Sequence, residues 1–159
     1  MSRKGGRRSF LTGRGGGDRI SSDPTGRAAF SPDLRAGLAA FQQSADSWNR
    51  FIDRASGGTG TFRETGWAGG FTTITDSTKV RVEWRDSNGI GYDLFVRLDR
   101  LKRDGETAIV RAFNGLRQSL IDAAARAGKP PPRVGRPLKK ADLKGAVYLF
   151  SAGDRVVYV

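Results

Sequence analysis

The chain has 159 residues, with 28 lysines and arginines against 16 acids and a formal net charge of +12. It has no cysteine and no histidine, which excludes a disulfide framework, thiolate chemistry, and the commonest general base and metal ligand. No stretch reaches the roughly 18 consecutive apolar residues of a membrane span, and the length suits one domain with tails.

Residues 1–30 are rich in glycine, serine and arginine and show no hydrophobic periodicity. They read as a basic arm that is disordered alone, followed by a single α+β domain over 31–159. A first amphipathic helix is expected over about 31–56. Ser31 would be its N-cap, Pro32 its first position, Asp33 would complement the dipole, and Gly57–Gly58 would end it. Leu34, Leu38, Phe41, Ala45, Trp48 and Ile52 recur at spacings of four and three. Such a stripe either covers the chain's own core or pairs with another subunit. In the second case Leu34, Leu38, Phe41, Trp48 and Ile52 are the partner interface.

Residues 60–75 alternate loosely through Phe62, Trp67, Phe71 and Ile74 and are read as one or two short strands. The clearest β signal is the central hairpin, 79–101. A two-residue Asn88–Gly89 turn would put its two apolar rows on opposite faces. A three-residue loop, Ser87–Asn88–Gly89, instead pairs Trp84 with Tyr92, Val82 with Leu94 and Val80 with Val96 on one buried face, with Gly89 at the left-handed position. The other face would carry Lys79, Arg81, Glu83, Arg85, Asp93, Phe95 and Arg97 as a solvated, mixed-charge surface.

A second helix is expected over 105–127. Asp104 would cap it, Ile109, Phe113, Leu116, Leu120 and Ala124 would form its stripe, and Gly128 with Pro130 would stop it. Gly115 within it suggests close packing on the sheet. A basic, proline-rich loop follows at 128–145, and the apolar runs beyond it read as a C-terminal hairpin, 146–159. The fold class is thus α+β, a small antiparallel sheet of two hairpins packed with two helices.

The charge is segregated. Residues 1–27 hold seven basic groups and two acids, and residues 129–144 hold six and one, whereas 28–128 hold fourteen and twelve. The excess therefore lies on two segments flanking a near-neutral core, a pattern that attracts polyanions. Arg3, Lys4, Arg7, Arg8, Arg14 and Arg19 interleave with glycine. Arginine grips phosphate bidentately and stacks on bases, and glycine lets the backbone follow a strand. Lys129, Arg133, Arg136, Lys139, Lys140 and Lys144 lie on the segment stiffened by Pro130–Pro132.

Serines and threonines are plentiful, but no histidine or lysine pair marks a nucleophile. The run GRGGGDR lacks the G-K-[ST] ending of a phosphate loop. No catalytic residue, cofactor or metal set is expected. The order helix, strand, hairpin, helix, strand resembles the core of the PD-(D/E)xK nucleases. There Glu83-Trp84-Arg85 stands where that family has E-x-K, with Asp76 ahead of it. The resemblance implies magnesium held between Glu83 and Asp93 near Asp86, although acids beside Arg81 and Arg85 equally suit a solvated face.

The expectation is a non-enzymatic, nucleic-acid-associated structural protein that binds the phosphate backbone with little sequence preference. In general style it is similar to the arm-bearing proteins of virus particles and other nucleoprotein assemblies. The alternative is an assembly or adaptor subunit, or a homo-oligomer, that uses the first helix and the terminal hairpin without nucleic acid. A metal-dependent nuclease is more distant. The cationic start lacks the apolar segment of a signal peptide, so the expected location is intracellular, in the cytoplasm or within such a particle.

Overall fold

In the computed structural model, which describes residues 26–63 and 71–152, the first helix, α1, runs Leu34–Ser56. Its cap is Asp33, not Ser31. Asp33 is extended and its carboxylate accepts from the Arg35 amide at 3.0 Å. Ser31 cannot cap the helix because it belongs to the sheet: its N–H donates to the Tyr148 carbonyl and its carbonyl accepts from the Tyr148 N–H, at 2.6 and 2.7 Å. Its hydroxyl accepts from the Asp33 amide instead. Gly57 closes α1 in the left-handed region, φ 69°, where a side chain would be strained.

The apolar stripe of α1 is consumed by the chain's own core. Phe41, Ala45 and Ile52 are fully buried, Trp48 nearly so, and Leu34 and Leu38 pack against them. These side chains therefore do not form a free partner interface. The Trp48 indole N–H donates to the Thr72 carbonyl at 2.9 Å. Asn49 brackets Ile74, accepting from its N–H at 2.6 Å and donating to its carbonyl at 2.9 Å. These bonds hold a two-stranded antiparallel ribbon, β1 (Thr61–Phe62) and β2 (Phe71–Thr72), on the helix. Trp67, expected in this region, lies outside the described residues.

The main sheet has the order β4-β3-β5, with β3 at Lys79–Arg85, β4 at Gly91–Arg97 and β5 at Val147–Ser151. The β3–β4 register pairs Trp84 with Tyr92, Val82 with Leu94 and Val80 with Val96. Asp86 and Ile90 continue the ladder through an N–O bond of 3.0 Å. This leaves the three-residue loop Ser87–Asn88–Gly89, with Gly89 at φ 86°. Burying one apolar row requires this register, since a one-residue slip would turn it outward.

β5 lies antiparallel on the other side of β3. It is the first limb of the expected terminal hairpin, whose second limb lies outside the described residues. Its outer edge is covered by residues 28–31, where the Ala28 N–H donates to the Phe150 carbonyl at 2.8 Å. Ala28 is fully buried, so the end of the supposed arm is part of the fold and the domain starts before residue 31.

β4 stops earlier than expected, and α2 follows at Leu98–Asp104. Leu98 and Leu101 are both buried. Residues three apart share a helix face but point to opposite sides of a strand, so burying both on one core favours the helix. After Gly105 (φ 59°), α3 runs Glu106–Arg126 with no side-chain cap, and the expected Asp104 cap is instead the end of α2. Ile109 is fully buried. Leu116 and Leu120 are exposed, and nothing lies near the Cβ position of Gly115. The distal half of α3 therefore does not pack on the sheet as its stripe suggests.

The second face of the sheet also departs from expectation. Arg81 and Glu83 are 3% and 2% exposed, so this stretch is buried rather than solvated.

Candidate nucleic-acid interface

The basic loop leaves α3 at Gly128 (φ 70°) and is tied down at several points. The Lys129 N–H donates back to the Ala124 carbonyl at 2.9 Å. Arg117 Nε donates to the Gly135 carbonyl at 2.9 Å. Asn114 clamps Leu138, donating to its carbonyl at 2.9 Å and accepting from its N–H at 2.7 Å. A short 3-10 turn, Lys140–Leu143, follows. Leu138 and Leu143 are buried, and these apolar anchors on either side of Lys139 and Lys140 hold the second half of the loop against the body.

Lys129, Arg133, Arg136, Lys139, Lys140 and Lys144 are all exposed. Arg136 pairs with Asp142 through two contacts of 2.9 and 3.2 Å, and Asp142 also accepts from the Lys139 N–H at 2.8 Å. These bonds hold the Asp142 carboxyl below its ordinary range. Among the described residues, Lys129, Arg133, Lys139, Lys140 and Lys144 have no ion-pair partner. Several cations elsewhere do have one: Arg97 with Asp99, Lys102 with Asp76, and Arg103 with Asp104. The loop thus presents net positive charge that the fold does not neutralise. Arg3, Lys4, Arg7, Arg8, Arg14 and Arg19 lie outside the described residues.

Between this loop and the tip of the β3–β4 hairpin lies a cleft of about 360 Å³. Trp84, Tyr92 and Phe113 line it. Trp84 and Tyr92 stack with ring centres 5.0 Å apart, 11° from parallel, and Phe113 meets both rings edge-on. Asp86 is occupied internally, accepting from the Asn88 and Ile90 amides at 2.9 and 3.0 Å and from the Tyr92 hydroxyl at 3.1 Å. Burial first, and then Asp86, raises the Tyr92 phenol above its usual value, so it remains a donor at neutral pH.

The carboxylates of the nuclease resemblance are brought together around one guanidinium. Glu83 and Asp93 face each other across β3 and β4. Arg81 contacts both, Nη1 to Glu83 Oε2 at 2.5 Å and Nη2 to Asp93 Oδ2 at 2.9 Å. A guanidinium thus stands where a cation would, and no group of three metal-ligating side chains occurs among the described residues. Asp86 turns instead to the hairpin tip.

Sequence reasoning located the basic loop but missed Asn114, Arg117 and the aromatic cleft. An asparagine beside a helical stripe carries no mark of its loop partner 24 residues away. Among the described residues no helix is long and apolar enough to cross a membrane. Comparison of the chain with protein-family models, with curated proteins and with solved structures finds no match.

Proposed function

We propose that this chain is a non-enzymatic, nucleic-acid-associated structural protein, which binds the phosphate backbone through its basic proline-rich loop and its arginine–glycine N-terminal segment. The observation that carries this reading is the loop, in which five exposed cations without ion-pair partners among the described residues are carried on a segment anchored by Leu138, Leu143 and Asn114. Charge fixed on an ordered scaffold costs less to organise at binding than charge on a free tail. The proximity of Arg81 to both carboxylates supports a structural reading of Glu83 and Asp93 over a metal-dependent one.

The test is a salt titration of binding to single- and double-stranded oligonucleotides. It compares the native chain with a variant carrying glutamine at Lys129, Arg133, Lys139, Lys140 and Lys144, and with a second carrying it at Arg3, Lys4, Arg7, Arg8 and Arg14. Log K should fall linearly with log salt, by about 0.7–0.9 for each phosphate contact. Each variant should flatten that slope by several units. No binding by the native chain near physiological salt would refute the proposal and turn attention to a protein partner.

A further inference from the structure

We infer that the cleft between the hairpin tip and the basic loop is a base-binding site, which takes one unpaired base of a single-stranded nucleic acid. The inference rests on the nucleic-acid reading above and deepens it, by giving the interface a means of telling single strands from duplex.

Phosphate contacts alone do not distinguish the two forms. An aromatic surface beside a cationic track does, because an unpaired base offers a free π-face that a paired base keeps inside the stack. The two features adjoin here. Tyr92 and Phe113 are only partly buried and line the cleft with Trp84. Arg136 and Lys144 are part of the same lining, and both belong to the exposed cationic loop. A volume of about 360 Å³ is of the size that encloses a small ligand such as a nucleoside, and it is too small for a base pair with its neighbours.

The polar groups favour an occupant rich in acceptors. The two carboxylates at the rim are engaged, Asp86 by the hairpin tip and Tyr92, Asp142 by Arg136 and Lys139. Ser87, Asn88 and Lys144 also line the cleft, and each carries a side-chain donor. Trp84 is fully buried, and its indole N–H has no acceptor among the described residues. A base edge carries carbonyl and ring-nitrogen acceptors, which an apolar guest lacks.

The test uses the full chain and a labelled strand of about 12 nucleotides, within the usual span of single-strand sites. Four probes are compared: oligothymidylate, oligouridylate, an abasic strand of the same length, and a duplex. Two variants leave the charge unchanged. Phe113→Leu removes an aromatic edge while keeping apolar volume, and Ala141→Phe places a bulky ring in the lining from an exposed position. Each should weaken binding of the two base-bearing single strands by about 5- to 150-fold, the range expected for losing one stacked base. Binding of the duplex and the abasic strand, and the salt slope, should not change. Equal losses on all four probes, or none on any, would overturn the cleft as a base site while leaving phosphate binding standing. Failure of the native chain to bind any probe at low salt would refute both proposals. An unchanged melting temperature in Ala141→Phe guards against misfolding as the cause.

Discussion

Arg81 and Glu83, two residues apart on β3, meet as a buried ion pair, with Nη1 and Oε2 2.5 Å apart and both residues almost fully excluded from solvent. Burial opposes the carboxylate charge more than Arg81 favours it, and Asp93 and Arg27 add smaller, opposite contributions. The Glu83 carboxyl is pushed up to about 7 from 4.5. The folded protein therefore keeps a proton on Glu83 between these pH values that the unfolded chain has released. The sign follows: the unfolded state binds fewer protons, so stability falls as pH rises from about 4.5 through about 7. The loss is on the order of 3 kcal/mol. Denaturant unfolding at pH 5 and pH 8 should show it, and Glu83→Gln should abolish the slope. Asp99 and Asp142 cannot mimic the effect, because their lowered pKa values act only as pH falls through and below the ordinary 3.8. An unchanged slope in the glutamine variant would dismiss Glu83 as its source.

Removing the other member of the pair should be harsher. Arg81→Met leaves Glu83 and Asp93 close together without their guanidinium. A broken buried pair costs about 3–5 kcal/mol, and the loss should be larger at pH 8 than at pH 5, where Glu83 can protonate. Equal destabilisation at both pH values would contradict this account.

Asn114 clamps the basic loop at Leu138 through two hydrogen bonds. Asn114→Ala removes both bonds to Leu138 and strands a partly buried N–H and carbonyl, at about 2 kcal/mol. The loop should loosen before the rest of the fold does. Trypsin should cut after Arg133 and Lys139 faster than in the native chain, while cleavage within β3 and β4 stays slow. Unchanged cutting after those two residues would show that the Arg117–Gly135 bond and the buried Leu138 and Leu143 hold the loop without Asn114.

Gly37 is a helix position where alanine should be worse. A Cβ there would lie 2.8 Å from Phe150 Cε2, and Phe150 is fully buried, with its ring stacked on Tyr148. Overpacking costs about 1–3 kcal/mol, against a helix-propensity gain of about 1 kcal/mol. Gly37→Ala should therefore lower the melting temperature, whereas Gly115→Ala, with open space around it, should raise it. The reverse order would mean that β5 can retreat from α1.

The elements legible in the sequence are those in which local pattern and burial agree. The hairpin register follows from Val80, Val82 and Trp84 needing to lie over Tyr92, Leu94 and Val96, with Gly89 free to turn. The α1 stripe and its Gly57 stop are of the same kind. So is the segregation of charge onto the loop after α3, since charge is a property of composition.

Tertiary structure decided everything that depends on distant partners. Ser31 has the chemistry of a cap but is claimed by Tyr148, so the helix begins at the next available one. Arg81 and Glu83 have the alternation of a solvated face, yet they are buried, and no local pattern announces which face of a sheet will be covered twice. Leu98 and Leu101 continue an apolar run that a strand would accept, until burial of both on one side forces a helical turn. Asn114, Arg117 and the aromatic cleft come together only when the loop folds back onto α3. A sequence fixes the period of its side chains and the sum of its charges because both are local. Which buried polar group finds which partner is settled by chain segments tens of residues apart, and only the fold brings them together.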